Sequence, residues 1–565
     1  MNILGINDSH DSGVALIKDG RIVYAANEER FTRKKMHWGF PYASLKNMSE
    51  QCGVDIADID LVGFGFKGMV EVPTAVDFSG KAGFKRKVFE KITKHSGKFP
   101  ESKTFVACSR LAAQILRKNR GLVRDYFAKR GMKGKITFFD HHESHAASAY
   151  FTSGWDKATV VTVDGGGDGL AGSVYTGENG QLKKISECPK IHSAGNFWAY
   201  ITYICGFDPQ RHGGKITGLA AYHPSPEAYE KLRTVYSLDR DKMHFRNDKY
   251  LFWRSAVNYL QELMKGFSRE EIAYAAQRVL EENVTEAVRL AVLRTGNPRV
   301  VLAGGVFANV TLNKRIMELA EVEEVFIHPH MGDGGTSLGA ALLLASRYHE
   351  LQSHPLDNVY FGDSFKTEEI ISAIKKEGFS CEKLEHPERM IAEMMHQGKV
   401  IGLFQGRMEY GPRALCNRSI LARPTDPEIK DWLNKRMDRT EFMPFAPVIM
   451  EEFAAAYFDN YPKGEYAARF MTMAFMVKQE LRAGIPGVVH LDGTARPQTV
   501  NKNRQPLMHS ILNEYYKISG LPLCINTSFN KHEEPIVHSP AEALHALKIG
   551  MIDELFFGPN LRACK

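Results

Sequence analysis

The amino-acid sequence predicts an α/β protein of two domains, and three observations predict it. Apolar runs rich in β-branched residues end repeatedly in glycine-rich turns. Helical stretches, with apolar residues at three- and four-residue spacing, separate them. A second α/β pattern begins after residues 354–363, where Pro, Asp, Asn and Gly cluster. The expected domains are residues 1–355 and 356–565. The 565 residues are 44% apolar and 25% charged, which excludes a disordered or collagen-like chain.

The elements follow in order. Asn2 to Asn7 reads as a strand. Val14 to Ile17 and Arg21 to Ala25 flank Lys18-Asp19-Gly20, a tight-turn signal for a hairpin. Ala158 to Val163 reads as a strand emptying into Asp164-Gly165-Gly166-Gly167-Asp168-Gly169. Val300 to Leu302 empties into Ala303-Gly304-Gly305-Val306. Glycine there lets backbone N–H groups approach an anion closely. Glu270 to Leu293 reads as a helix, and Gly339 to Leu351 as the helix closing the first region. Beyond the boundary a helix ends over Glu393 to Gly398, Val400 to Phe404 reads as a strand, and a Gly/Arg-rich loop follows.

Charge is spread unevenly. The chain carries +7, yet between Phe66 and Lys135 there are 18 Lys or Arg against 5 Asp or Glu, an excess of +13 that leaves −6 for the rest. Such an insert, about 66–135, suits a polyanion or a solvated face. Eight scattered cysteines without a CxxC pair read as reduced thiols. The opening MNILGINDSHDSG has no apolar signal region, and no run of 18 apolar residues exists. A cytoplasmic protein without a membrane partner is expected.

Three motifs carry chemistry. His141 and His145 stand four apart in Asp140-His141-His142-Glu143-Ser144-His145, so on a helix both reach one metal. Asp164 and Asp333 could add oxygen ligands. Two His with two carboxylates suit Fe(II), Mn or Zn; helix-capping or surface histidines are the alternative. His10, in Asp8-Ser9-His10-Asp11, is placed as a general base after a strand, against a plain turn whose Asp residues cap the backbone. Arg413 and Arg418, in Gly411-Pro412-Arg413-Ala414-Leu415-Cys416-Asn417-Arg418-Ser419, form a fork for phosphate or carboxylate. Arg496 and Asn526-Thr527-Ser528 add polar loop ends. Surface arginines are the alternative there.

Together the motifs resemble one family. FTRKK (Phe31 to Lys35), DHHESHAAS (Asp140 to Ser148), DGGGDG, GGVFANVTLN (Gly304 to Asn313), GRMEYGPRALCNRSI (Gly406 to Ile420), PFAPV (Pro444 to Val448), DGTARPQTV and NTSFN look like the ATP-dependent O-carbamoyltransferases. That group contains the nodulation-factor, tobramycin and cephamycin enzymes, and the likeness runs from about Met1 to Pro559.

The resemblance implies an N-terminal Kae1/TsaD-like domain of the actin–sugar kinase–Hsp70 fold and a C-terminal YrdC-like α/β domain. It implies Mg-ATP and carbamoyl phosphate as substrates, a carbamoyl-adenylate intermediate, and transfer to an acceptor hydroxyl. By the same resemblance the metal ligands fall on His141, His145, Asp164 and Asp333, with Fe(II) foremost and Mn or Zn as alternatives, and the base on His10. The nucleotide cradle falls on Gly165, Gly166, Gly167, Gly304, Gly305 and Asn309. The second domain's ATP and carbamoyl phosphate contacts fall on Arg413, Arg496, Asn526 and Ser528.

One segment departs from the pattern: Met437 and Met443 stand where the family often carries Lys and Arg. A thioether cannot neutralise phosphate, so either Lys435, Arg436 or Arg439 is expected to substitute, or this subgroup handles carbamoyl phosphate differently. The family's acceptors include sugars, antibiotics and the hydroxymethyl group of 5-hydroxymethylcytosine in virus-type DNA. The basic stretch, with Phe84, Phe89, Phe99 and Phe105 interleaved, makes DNA the leading single acceptor and a small-molecule or sugar hydroxyl the alternative. An actin-fold kinase or binding protein is a remoter alternative. A homodimer is compatible with the sequence.

Overall fold

The structure is a computed structural model that describes residues 1–67, 120–348, 353–438 and 445–564. Most of the basic stretch therefore lies outside the described residues, as do Met443 and Arg439. Two compact units form. One comprises Met1–Ser9 with Ile56–Pro355, the other His10–Asp55 with Leu356–Lys565. Both are α/β. Among the described residues no helix is long and apolar enough to cross a membrane.

In the first unit, strands Asn2–Asn7, Leu61–Phe64 and Lys135–Phe138 pair in parallel in that order. A five-stranded sheet runs Glu324–Ile327, Arg299–Ala303, Lys157–Gly167, Leu170–Glu178, Gln181–Pro189. Its first three strands are parallel and the last two form an antiparallel meander. The strand expected to stop at Val163 continues to Gly167 across a register shift, which carries Asp164 along it.

Helices His141–Ser153 and Thr336–Tyr348 cross at glycine. A Cβ on Gly339 would lie 1.8 Å from the Ser144 carbonyl oxygen, and one on Gly5 would lie 1.9 Å from that of Ser337. Backbone thus packs on backbone, with Ala146, Ala147, Ala149, Ala340 and Ala341 filling the contact. The long helix Arg269–Thr295 starts at a capping box made by Ser268 and Glu271 and ends at Gly296, which is left-handed at φ 69°.

The second unit is an eight-stranded mixed sheet ordered Ser380–Lys383, Leu561–Cys564, Glu554–Phe557, Ile401–Phe404, Arg418–Ala422, Leu523–Ser528, Ala446–Met450, Gln498–Val500. Its core gathers Ile401, Leu403, Leu421, Val448, Ile511, Leu512 and Phe556. The expected hairpin is present as Gly13–Lys18 with Arg21–Asn27. Asp19 and Gly20 turn it at φ 50° and 77°, the two positive values a tight hairpin turn requires.

Residues 10–55, the hairpin among them, group with the second unit, where the expected division had placed them in 1–355. Ala25 N–H donates to the Phe361 carbonyl, and Arg407 donates to that of Val23. Tyr24 Oη donates to Asp363 at 3.0 Å. Arg30 donates to the Gly411 carbonyl, and Arg33 to those of Pro535 and Ile536.

Candidate functional site

Four side chains from three elements converge in the first unit. His141 and His145 lie one turn apart on the His141–Ser153 helix and are fully buried. Asp164 comes from the Lys157–Gly167 strand, and Asp333 opens the short turn Asp333–Gly335. Their ligand atoms all lie within 4.8 Å of one another. His141 Nε2 is 3.1 Å from His145 Nε2, 3.0 Å from Asp164 Oδ2 and 3.7 Å from Asp333 Oδ1. His145 Nε2 is 3.5 and 3.6 Å from the same two oxygens. Neighbouring donors held by one first-row dication at about 2.1 Å stand roughly 3.0 to 3.4 Å apart; two of these separations match and the other three are a few tenths of an ångström wider, so a small inward shift would close the set on such an ion. Two imidazole nitrogens this close repel unless a proton or a cation lies between them.

The charges agree. Burial would depress His145, but Asp164 and Asp333 outweigh it and hold the ring up at about 9. Burial would raise Asp164, yet hydrogen bonds to His141 and His145 hold it well below the usual carboxylate range. A field that retains a proton here also retains a cation.

Outer contacts orient each ligand. Asp164 Oδ1 accepts from the Gly305 N–H at 3.1 Å, which leaves Oδ2 for the histidines. Ser193 Oγ donates to the carbonyls of Asp164 and Gly165. Asn7 and Thr336 donate to the Asp333 carbonyl. Asp140 caps the helix by accepting from His142 and Glu143 N–H, and Asp168 accepts from His141 N–H at 3.0 Å. His142 bonds Thr162 Oγ1 through Nδ1 at 2.9 Å; burial pushes its pKa well down, so it is a neutral anchor.

The expected nucleotide cradle divides by environment. A Cβ on Gly167 would lie 2.3 Å from the His141 ring, and one on Gly304 would lie 2.2 Å from the Val163 carbonyl oxygen. These two are glycine for packing. Gly305 serves Asp164. Asn309 caps the Val310–Met317 helix and exchanges two hydrogen bonds with Gln277, so its amide is engaged within the fold. Gly166 is left-handed at φ 130°, while Gly165 faces open space save for Asn196 Oδ1 at 3.8 Å. Lys190, which the sequence reading passed over, packs its stem against Gly166. Burial lowers its pKa, and Asp164, Asp333 and Asp168 act against that.

His10 belongs to the second unit, where it meets Trp38 edge to face at 5.8 Å. Asp11 next to it sits at φ 53° and accepts from Asn27 Nδ2.

The second unit also brings Arg413 and Arg496 together. Burial pushes the Arg413 guanidinium down to about 10. Arg496 is pushed down by burial first and then by the Arg413 charge. Arg413 Nε is buried without a hydrogen bond, and among the described residues no carboxylate pairs with either guanidinium. Two desolvated like charges are relieved by an anion between them. Asn526 is buried and donates to Gln498 Oε1 at 2.7 Å and to the Ala414 carbonyl at 3.2 Å. Ser528 follows on the same strand, opposite Ser419.

Two expectations fail here. Arg418 does not form a fork with Arg413. It is fully buried over the Phe404 ring at 3.6 Å and donates to the carbonyls of Gln405, Gly406 and Asn417, because its strand Arg418–Ala422 is buried on both faces. Arg436 does not replace a missing phosphate ligand either. It is spent on a bidentate pair with Asp553 at 2.7 and 3.0 Å and on the Gly550 carbonyl. Met437 is core, and Lys435 is exposed. Glu409 was missed altogether: its Oε1 accepts from Leu415, Asn417 and Arg418 N–H. A lone Glu between apolar Met408 and Tyr410 was the available signal.

The class is therefore a two-unit α/β protein with a cation-type cluster on one unit and an anion-type pair on the other. The family described as "Carbamoyltransferase N-terminus" matches residues 2–342, and "Carbamoyltransferase C-terminus" matches residues 392–563. The chain belongs to the carbamoyltransferase family and is a transferase.

It is 31% identical over 573 residues to "Uncharacterized protein MJ1051" of Methanocaldococcus jannaschii, covering 99% of each chain. It is 30% identical over 566 residues to "Nodulation protein NolNO" of Sinorhizobium fredii, covering 98% of this chain and 78% of that protein. "Nodulation protein U" of the same organism is 27% identical over 584 residues, with 96% of each covered. Among solved structures, full-length HypF in its phosphate- and nucleotide-bound form aligns with a TM-score of 0.37 and 16% identity, over 61% of this chain and 55% of that one.

Proposed function

We propose that this carbamoyltransferase draws its carbamoyl group from carbamoyl phosphate, activates it as carbamoyl-adenylate, and delivers it to an alcohol. The observation that carries the reading is the Arg413–Arg496 pair, which no carboxylate among the described residues neutralises. Carbamoyl phosphate and water give carbamate and phosphate. Carbamate attacks the α-phosphorus of ATP and releases pyrophosphate. The acceptor oxygen then attacks the carbamoyl carbon, AMP leaves with the C–O bonding pair, and the alcohol proton goes to a base.

In this scheme Arg413 and Arg496 hold the phosphate, and Asn526 and Ser528 orient the carbamoyl end. Gly165 and Gly166 let amides approach the nucleotide. His10 takes the alcohol proton, because a hydroxyl of high pKa needs a base within reach. His141, His145, Asp164 and Asp333 would hold a divalent cation, Fe(II) in this reading, which when bound supplies positive charge against the adenylate phosphate.

The acceptor reading with a feature of this chain behind it is 5-hydroxymethylcytosine in DNA, through the +13 stretch. A soluble sugar-type hydroxyl is the second reading, favoured by the full-length relatives named as nodulation proteins. The test incubates the enzyme with ATP, carbamoyl phosphate and either hydroxymethylated DNA or oligosaccharide, at low and high salt. Carbamoylated base with turnover falling steeply as salt rises supports DNA. Turnover on oligosaccharide alone, indifferent to salt, sinks the DNA reading. Carbamoylation without ATP sinks the adenylate route.

A further inference from the structure

Residues 411–418 of the second unit form a loop tied down at almost every peptide. On the carbonyl side, Arg30 donates to Gly411 at 2.7 Å, Asn526 to Ala414, Tyr360 Oη to Leu415 at 2.7 Å and Gln405 Nε2 to Cys416 at 2.9 Å. On the amide side one atom dominates. Glu409 Oε1 accepts from Leu415, Asn417 and Arg418 N–H at 2.8, 2.8 and 2.9 Å. Glu409 is 1% exposed, and its Oε2 makes no hydrogen bond. A carboxylate in so dry a place is costly unless dipoles compensate it, and here three amides do. Cys416, between those amides, is held at φ 79°, a left-handed conformation that an L residue adopts only when its surroundings enforce it. Among the described residues, the backbone at Pro412 and Arg413 has no such tie.

We propose that Glu409 is a positioning residue for the step that consumes carbamoyl phosphate. Arg413 and Arg496 repel each other, so a slack loop would let Arg413 swing to solvent before any anion arrives. By collecting three N–H groups on one oxygen, Glu409 holds the loop against that repulsion and keeps the guanidinium pair preformed. Arg30, from a segment 381 residues away in sequence, anchors the same loop at its start. The inference rests on the reading that the arginine pair binds carbamoyl phosphate.

The test uses the full-length enzyme and follows phosphate release, with carbamoyl phosphate and ATP varied separately. Glu409→Gln keeps the shape and the oxygen that the three amides share, but removes the charge that strengthens those bonds and sets an NH2 group where the unbonded Oε2 stands. It is expected to raise KM for carbamoyl phosphate about tenfold and to leave KM for ATP within about twofold. Tyr360→Phe removes the Leu415 carbonyl's donor, together with the hydroxyl's contact to Gln505, and is expected to move the same constant the same way, by less. An unchanged KM for carbamoyl phosphate in folded Glu409→Gln overturns the proposal, as does an equal rise in both constants. If Glu409→Gln does not fold, Tyr360→Phe decides by the same criteria. Arg413→Lys separates the two layers. If it too leaves KM for carbamoyl phosphate unmoved, the arginine reading fails; if it raises that KM and Glu409→Gln does not, the positioning role alone fails.

Discussion

In the first unit, His141, His145, Asp164 and Asp333 turn their ligand atoms inward on a common point, and a second ring of Gly305, Ser193, Asn7 and Thr336 steers the two aspartates. In the second unit, Arg413 lies close enough to Arg496 for its charge to be felt, among the described residues no carboxylate pairs with either, and the support lies in the loop around Arg413. The difference follows from the ligand each would take in the proposed reaction. A cation site gathers negative charge and can rest partly compensated by a proton on His145. An anion site of two guanidinia has no such internal relief, so its geometry has to be imposed from outside.

Removing one member of each site sharpens that contrast. Asp164→Asn weakens the convergence at its centre, and bound metal should fall below about one-tenth of the wild-type content, with carbamoyl transfer down about 100-fold. Phosphate release from carbamoyl phosphate should persist within a few-fold. Elemental analysis beside the two assays checks this, and parallel loss of both activities breaks the separation of the sites. Arg496→Ala should do the reverse. Carbamoyl-phosphate-dependent phosphate release falls about tenfold or more, while metal content stays unchanged.

The smallest effect is on stability against pH. His192 is buried and accepts the Asn247 N–H through Nδ1 at 3.2 Å. Burial, then the neighbouring His244, pushes its pKa from 6.5 down to about 4. The unfolded chain takes up this proton below about pH 6.5 and the native chain only near 4. Stability should therefore fall through that window, by roughly 3 kcal/mol. In chelator-treated protein His145 acts oppositely. Held up at about 9, it contributes fully below its unfolded value near 6.5 and loses that contribution as pH rises through about 9. Thermal melts from pH 4 to 10 should show both flanks, and a flat alkaline flank without metal would remove the proton from the account of the quartet.

Much of the first site was legible because its spacing is local. Two histidines four residues apart must share a helix face, and a strand running into a Gly-rich stretch carries its Asp near the strand's C-terminal end. Packing glycines were legible as glycines but not as to purpose. Gly167 and Gly304 read as an anion cradle, although what each avoids is a clash with the His141 ring or the Val163 carbonyl. In the second unit the two arginines of the Arg413-to-Arg418 stretch looked equivalent. One strand register sends Arg418 into the core, and nothing in a window of six residues announces it.

The sequence by itself determined the α/β alternation, the hairpin turn at Asp19-Gly20, the long helix and most of the charged residues at both sites, since each follows from spacing, turn chemistry or backbone freedom over a few residues. Only the tertiary structure decided which unit the 10–55 segment joins, that Asn7 supports Asp333 across 326 residues, and that Glu409 organises the loop bearing Arg413. Those outcomes depend on hydrogen bonds between distant segments. Their partners become neighbours only after both have been buried.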